Sequence, residues 1–199
     1  MSRIIAISGI SGAGKTTLTR ALASRHHASH LIWDDFDGIS VHPDDYLNWF
    51  EGDRDYSEWN YAELAGMLRA LKMSEATIHP ITAERVLPTA LVFFDAPLGR
   101  LHRQTAGMID LAMHIRLPKD IALCRRLIRD YGAADELSLE DLMDELRFYA
   151  GDGHALFDDR ALVEAADIVI DGTLPFARQL ETIDRHLGRL GYLDCTGRA

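Results

Sequence analysis

The chain has 199 residues, with 31 acidic against 21 basic side chains, a formal net charge of −10 and 47% hydrophobic residues. That length suits one compact α/β domain, residues 1–199, with a sizeable core. An acidic surface argues against a broad nucleic-acid footprint or an anionic-membrane partner. No apolar run approaches the roughly 20 residues of a membrane span. The two cysteines, Cys124 and Cys195, do not make a disulfide framework and fit a reducing, cytoplasmic setting. The first apolar run is cut by glycines too soon for a signal peptide.

Arg3 to Ser8 is mostly apolar and reads as a buried strand. Gly9-Ile10-Ser11-Gly12-Ala13-Gly14-Lys15-Thr16-Thr17 follows, spelling G-x-x-x-x-G-K-T, and Leu18, Ala21 and Leu22 then recur at helical spacing. Strand, glycine loop and helix together form a phosphate-binding loop. Gly9, Gly12 and Gly14 let the backbone turn tightly and approach an anion. The N–H groups of Ser11, Ala13 and their neighbours then make an anion nest at a helix N-terminus. Lys15 adds positive charge beside the phosphates, and the Thr16 hydroxyl is placed to hold the Mg²⁺ of the nucleotide, with Thr17 beside it.

Arg25-His26-His27 reads as the last turn of that helix, where positive charge suits the dipole. His30 to Trp33 is a second strand, ending in Asp34, Asp35 and Asp37. Ligands gather at the carboxyl ends of parallel strands, so a carboxylate there could take the proton of an attacking hydroxyl. Residues 36–61 then form an acceptor-side insertion. It lacks periodicity but holds Tyr46, Trp49, Phe50, Tyr56 and Trp59. Such rings either stack on a planar ligand or pack a satellite core under a loop. Tyr46 and Trp49, with Asp34 and the loop residue Arg85, are candidate acceptor contacts.

Tyr61, Leu64, Ala65, Leu68 and Leu71 form a helical stripe, and a loop with Pro80 and Pro88 follows. Ala90 to Asp95 is an apolar strand ending in an acid, the pattern that sets a carboxylate beside the metal. Leu98 to Gly107 reads as a helix and Asp110 to Leu117 as a strand. Pro118 then opens the helix Lys119–Tyr131, with Ile121, Cys124, Leu127, Ile128 and Tyr131 on one face. Arg125, Arg126 and Arg129 fall on the other, suited to binding an anion. Ser138 is an N-cap with Asp141 at the capping-box position, for a helix carried by Leu139, Leu142, Met143 and Leu146. Asp167 to Ile170 is a last strand. The final helix has Phe176, Leu180, Ile183 and Leu187 inward, and residues 191–199 read as a tail.

Four segments in order, Gly9–Thr17, Asp34-Asp35-Phe36, Arg125-Arg126-Leu127-Ile128-Arg129-Asp130 and Ala166 to Gly172, resemble the uridine kinase and nicotinamide riboside kinase group of P-loop small-molecule kinases. The resemblance implies a three-layer P-loop sandwich. Its five-stranded parallel sheet has the order 2-3-1-4-5, helices on both faces, and a small helical lid at about 125–150. It implies ATP and Mg²⁺ as cofactors and transfer of the γ-phosphoryl group to a hydroxyl of a small molecule, nucleoside- or riboside-like. Asp35 then matches the base, with Asp34 next in line. Arg125, Arg126 and Arg129 match the arginines that steady the phosphoryl group, Arg126 as a catalytic one. Asp95-Ala96 stands where the family commonly has Glu-Gly. The stretch Tyr131 to Leu146 lacks the family's usual basic residues, which leaves the acceptor open. The alternative function is an ATP-hydrolysing or ATP-binding assembly protein with no acceptor. A GTPase is disfavoured because no Asn-Lys-x-Asp segment occurs. No signal in the sequence sets an oligomeric state.

Overall fold

The computed structural model describes residues 1–132 and 138–193. Five parallel strands make the central sheet: β1 (Arg3–Gly9), β2 (Ser29–Ile32), β5 (Leu91–Asp95), β6 (Ile109–Arg116) and β7 (Ile168–Asp171). Their spatial order is β2-β5-β1-β6-β7, all pairs parallel. Counted within this sheet alone, that is 2-3-1-4-5. The chain numbering differs because a small antiparallel hairpin, β3 (Thr77–Ile78) and β4 (Arg85–Val86), intervenes. It occupies what the sequence reads as a plain loop.

Alternating side chains send β1 into two cores. Ile5 and Ile7 pack with Leu18 and Leu22 of α1 (Lys15–Arg25) and with Ile183 and Leu187 of α8 (Phe176–Arg189). Ile4 and Ala6 face the other way, toward Leu64, Met67, Leu68 and Leu71 of α3 (Ala62–Lys72). The sheet is thus covered on both faces, as parallel sheets require.

Several boundaries move for identifiable reasons. Trp33 leaves the second strand and starts a 3₁₀ turn, Trp33–Ile39, that buries Trp33 and Phe36. The helix expected over Leu98–Gly107 breaks into a 3₁₀ turn, Gly99–Leu101, and α4 (Arg103–Ala106). His102 stands between them with extended backbone. Its buried ring pairs Nδ1 with Thr105 Oγ1 at 2.9 Å and Nε2 with the Trp59 carbonyl at 2.9 Å. The insertion gains α2 (Tyr46–Glu51), capped by Asp45, and a 3₁₀ turn, Tyr56–Glu58, capped by Asp55.

α5 (Lys119–Tyr131) does not bury its expected apolar face. Ala122 is the buried residue of this helix, while Ile121 and Cys124 are exposed and Ile128 is 72% exposed. α6 (Leu139–Ala150) starts at the Ser138 cap, whose hydroxyl accepts from Asp141 N at 3.2 Å. It buries no residue fully, and Leu139 and Met143 are exposed. A 3₁₀ turn, Asp152–Phe157, and α7 (Arg160–Glu164) lead to β7. In α8, Phe176 is exposed and Gln179 is buried instead, donating to the Leu174 carbonyl at 2.9 Å. Tyr192 and Leu193 pack on the core rather than forming a tail. The rest of the expected tail, 194–199, and residues 133–137 of the expected lid lie outside the described residues. No helix among the described residues is long and apolar enough to cross a membrane.

His114 in β6 is fully buried between Ser8 Oγ, 3.0 Å from Nδ1, and Asp159 Oδ2, 3.0 Å from Nε2. Burial depresses the pKa of both His102 and His114. An unfolded histidine, near 6.5, therefore takes up a proton that the folded one refuses. Stability is held above pH 6.5 and falls as the pH drops below it. The melting temperature is expected to decline from pH 7.5 to 5.5, and less steeply in His102→Gln. An equal slope in wild type and variant would show that this ring does not contribute.

Candidate active site

The loop between β1 and α1 closes through backbone conformations that favour glycine. Gly12 has φ +83° and Gly14 φ +97°. A Cβ on Gly12 would lie 2.1 Å from the Ala122 carbonyl oxygen. The absent side chain thus lets the loop and α5 touch backbone to backbone.

Beyond the loop, the Thr16 hydroxyl donates to Asp95 Oδ2 at 2.5 Å. Asp95 is 1% exposed, and its other oxygen, Oδ1, is buried with no partner. Burial raises its pKa, while Lys15 and the Thr16 hydrogen bond pull it down. A carboxylate with one orphaned oxygen beside a phosphate loop has the donor set that Mg²⁺ takes, directly or through water. Lys15 reaches the Ile10 carbonyl at 3.4 Å. Desolvation lowers its pKa, and the charges of Asp95 and then Asp34 oppose that.

One cavity of about 990 Å³ runs from this loop to the insertion. The phosphate end holds Gly9, Ser11, Gly12, Gly14, Lys15, Thr16 and Thr17, with Arg125 and Arg129. The far end is the aromatic wall: Tyr46, Trp49, Phe50, Tyr56 and Trp59. These rings both line the cavity and pack on one another. Tyr46 stacks on Trp59 at 5.4 Å, and Trp49 meets Trp59 edge-on at 5.5 Å. Hydrogen bonds fix the wall: Trp49 Nε1 donates to the Asp55 carbonyl at 3.1 Å, and Tyr61 Oη to Asp37 at 2.6 Å. Leu98, Leu101, Leu156 and Leu162 close the other side.

The placement of the sequence candidates differs in four respects. Asp34 lines this cavity and Asp35 does not. Successive residues of a tight turn point apart, so Asp35 faces a second cavity of about 450 Å³ behind β2, with His79 Nε2 3.9 Å away. Arg85 lies in that second cavity too, carried there by β4, so it is not beside the aromatic wall. Arg126 is taken up by Glu145 of α6 and by Asp130 at 3.9 Å, with its guanidinium over Phe157, so it does not line the cavity. Ala13 is buried beneath the loop, so only its backbone is near the nest. Arg125 donates to the Gly172 carbonyl at 3.4 Å, and Arg129 pairs with Asp130 at 2.6 Å.

Residues that sequence reading left out also line the cavity: Arg20, Arg54, Asp158 and the leucines. Arg20 lies four residues after Thr16 and three after Thr17 on the same helix, a spacing that could have flagged it. Asp158 is held by Arg160, which keeps its pKa down at about 2.

No family model matches the chain. It is similar to a curated uridine kinase of Borrelia garinii subsp. bavariensis, 27% identical over 155 residues, 73% of this chain and 75% of that protein. A shikimate kinase of Acinetobacter baumannii, solved in complex with shikimate, shares the fold with TM-score 0.52 at 18% identity, covering 95% of each chain. A gluconokinase of Sinorhizobium meliloti does so with TM-score 0.51 at 16% identity, covering 95% of this chain and 93% of that one. The overall fold is the one these two solved kinases share.

Gly12→Ala is expected to weaken ATP binding at least tenfold and to lower the melting temperature, because the new methyl displaces α5 or opens the loop. Calorimetric titration with ATP checks this. Near-native affinity would mean that the loop does not depend on that contact.

Proposed function

We propose that the chain is a cytoplasmic ATP-dependent kinase that moves the γ-phosphoryl group to a hydroxyl of a small, ring-bearing, nucleoside- or riboside-like molecule. The carrying observation is a single cavity that joins the phosphate loop to Asp34 and an aromatic wall, with volume for a nucleotide and a second molecule. The likeness to a curated uridine kinase supports the same reading.

In this mechanism the loop amides and Lys15 grip the β- and γ-phosphates. Arg125 and Arg129 face the same end and offset charge on the moving group. Thr16 and Asp95 would hold Mg²⁺, which supplies further neutralisation of the phosphates. Asp34 takes the role of base in place of Asp35. It accepts the proton as the acceptor oxygen bonds to phosphorus and the bond to the ADP oxygen breaks. The wall orients the acceptor by stacking. α2 packs on the 3₁₀ turn Asp152–Phe157, so the insertion and the segment after α6 meet over the cavity and limit water. Arg126, engaged with Glu145 and Asp130, steadies α5 against α6.

The alternative, an ATP-hydrolysing or ATP-binding protein without an acceptor, draws on the lack of basic residues in α6 beyond Arg147. The two separate in one assay. Metabolite pools are incubated with protein and ATP, and products that gain one phosphate are sought by mass spectrometry. A phosphorylated product supports the kinase. ADP with no such product supports the alternative.

Asp34→Asn is expected to cut kcat by about 10²–10⁴-fold, the usual worth of a positioned base, with little change in ATP affinity. Asp35→Asn should stay within a few-fold of wild type. The reverse pattern would return the base to Asp35. Lys15→Ala should abolish transfer, and normal turnover in that variant would remove the phosphate role of the loop.

A further inference from the structure

The aromatic wall carries one cation, Arg54, between Phe50 and Tyr56. In a chain of net charge −10, Arg54 pairs with no carboxylate among the described residues, as is also true of Arg20 and Arg125 in the same cavity. It is also held in place. Its Nε donates to the Phe50 carbonyl at 2.8 Å, and its guanidinium lies 3.7 Å from the Phe50 ring centroid. The two Nη groups are left without a partner. Its backbone has φ +52°, a strained conformation for a side-chain-bearing residue, and such strain gathers at ligand clamps. On the same wall the Trp59 indole N–H is buried and unpartnered as well.

We infer that the acceptor is a hydroxylated ring compound bearing one carboxylate, which the Arg54 guanidinium receives while the ring lies against the aromatic wall. This inference rests on the kinase reading for the hydroxyl, and adds the acid. A planar fork pre-oriented by Phe50 matches a carboxylate in two parallel hydrogen bonds. A phosphate is a poorer fit. The wall supplies no second cation, and Asp34 and Asp158 line the same cavity and repel a dianion. Lys15, Arg20, Arg125 and Arg129 belong to the nucleotide end. The placement divides the hydroxyl from the acid: Asp34 near the loop reads the first, Arg54 on the far wall the second.

Binding can be tested without any phosphoryl transfer, so its failure is separate from failure of the kinase reading. The full chain, with a non-hydrolysable ATP analogue present, is titrated with 3-phenyllactate, with its amide 3-phenyllactamide, and with benzyl phosphate. Quenching of tryptophan emission reports binding. Wild type is expected to bind the acid at least tenfold tighter than the amide, the scale of a charge-assisted pair, and tighter than the phosphate. In Arg54→Gln the acid-to-amide ratio should fall to about one, and Arg54→Lys should restore part of it. Equal binding of acid and amide by wild type, a preference that survives in Arg54→Gln, tighter binding of benzyl phosphate, or binding of none of the three would each overturn the assignment.

Discussion

Contact between the Gly12 backbone and the Ala122 carbonyl sets the geometry of everything around the phosphate loop. It seats the first turn of α5 on the loop itself. From there, Arg125 and Arg129, one and two turns along, point into the cavity. A larger residue at either end would lift the helix and carry both guanidiniums away. The loop and its arginines are thus one rigid unit, although more than a hundred residues separate them in the chain.

That unit concentrates charge of both signs at the carboxyl edge of the sheet. Lys15 lies where burial disfavours its charge and Asp95 and Asp34 favour it. Asp95 has the opposite problem, with burial raising its pKa against Lys15 and Thr16. Each opposes the effect of burial on the other. The arrangement is costly in isolation, since neither charge is fully solvated. It suits a site that takes up a highly charged ligand together with a divalent cation. The orphaned oxygen of Asp95 points to the same conclusion.

The strands and the loop were legible because they rest on short-range chemistry: glycines before a lysine, apolar runs ending in acids, a serine cap; the strand order came from the resemblance to the uridine kinase group. What was not legible depended on direction rather than pattern. Asp34 and Asp35 are adjacent and chemically alike, and only the 3₁₀ turn after β2 sends them to different cavities. Arg126 shares the face of Arg125 and Arg129 at helical spacing, yet Glu145, nineteen residues on, captures it. α5 has a strong apolar stripe, but its seat on Gly12 is chosen by backbone contact, so Ile128 is left outside. Tyr46 and Trp49 were singled out as aromatic, but whether they would stack on a ligand or on each other could not be read. In the structure both line the cavity and both pack against Trp59.

The insertion explains how a common fold acquires its own specificity. The nucleotide end is built from the sheet edge and α1, elements that cannot vary without losing the loop. Residues 36–61 touch that framework through Phe36 and Tyr61 in the second core and through the Trp59–His102 hydrogen bond, while the Asp37–Tyr61 hydrogen bond ties the two ends of the segment together. These anchors fix both ends of the segment. Between them the wall is braced by its own caps and by the Trp49–Asp55 hydrogen bond. Side chains there can change without disturbing the sheet. On the proposed kinase reading, the acceptor is selected by a rigid, separately braced surface, while the chemistry is left to residues the fold itself holds in place.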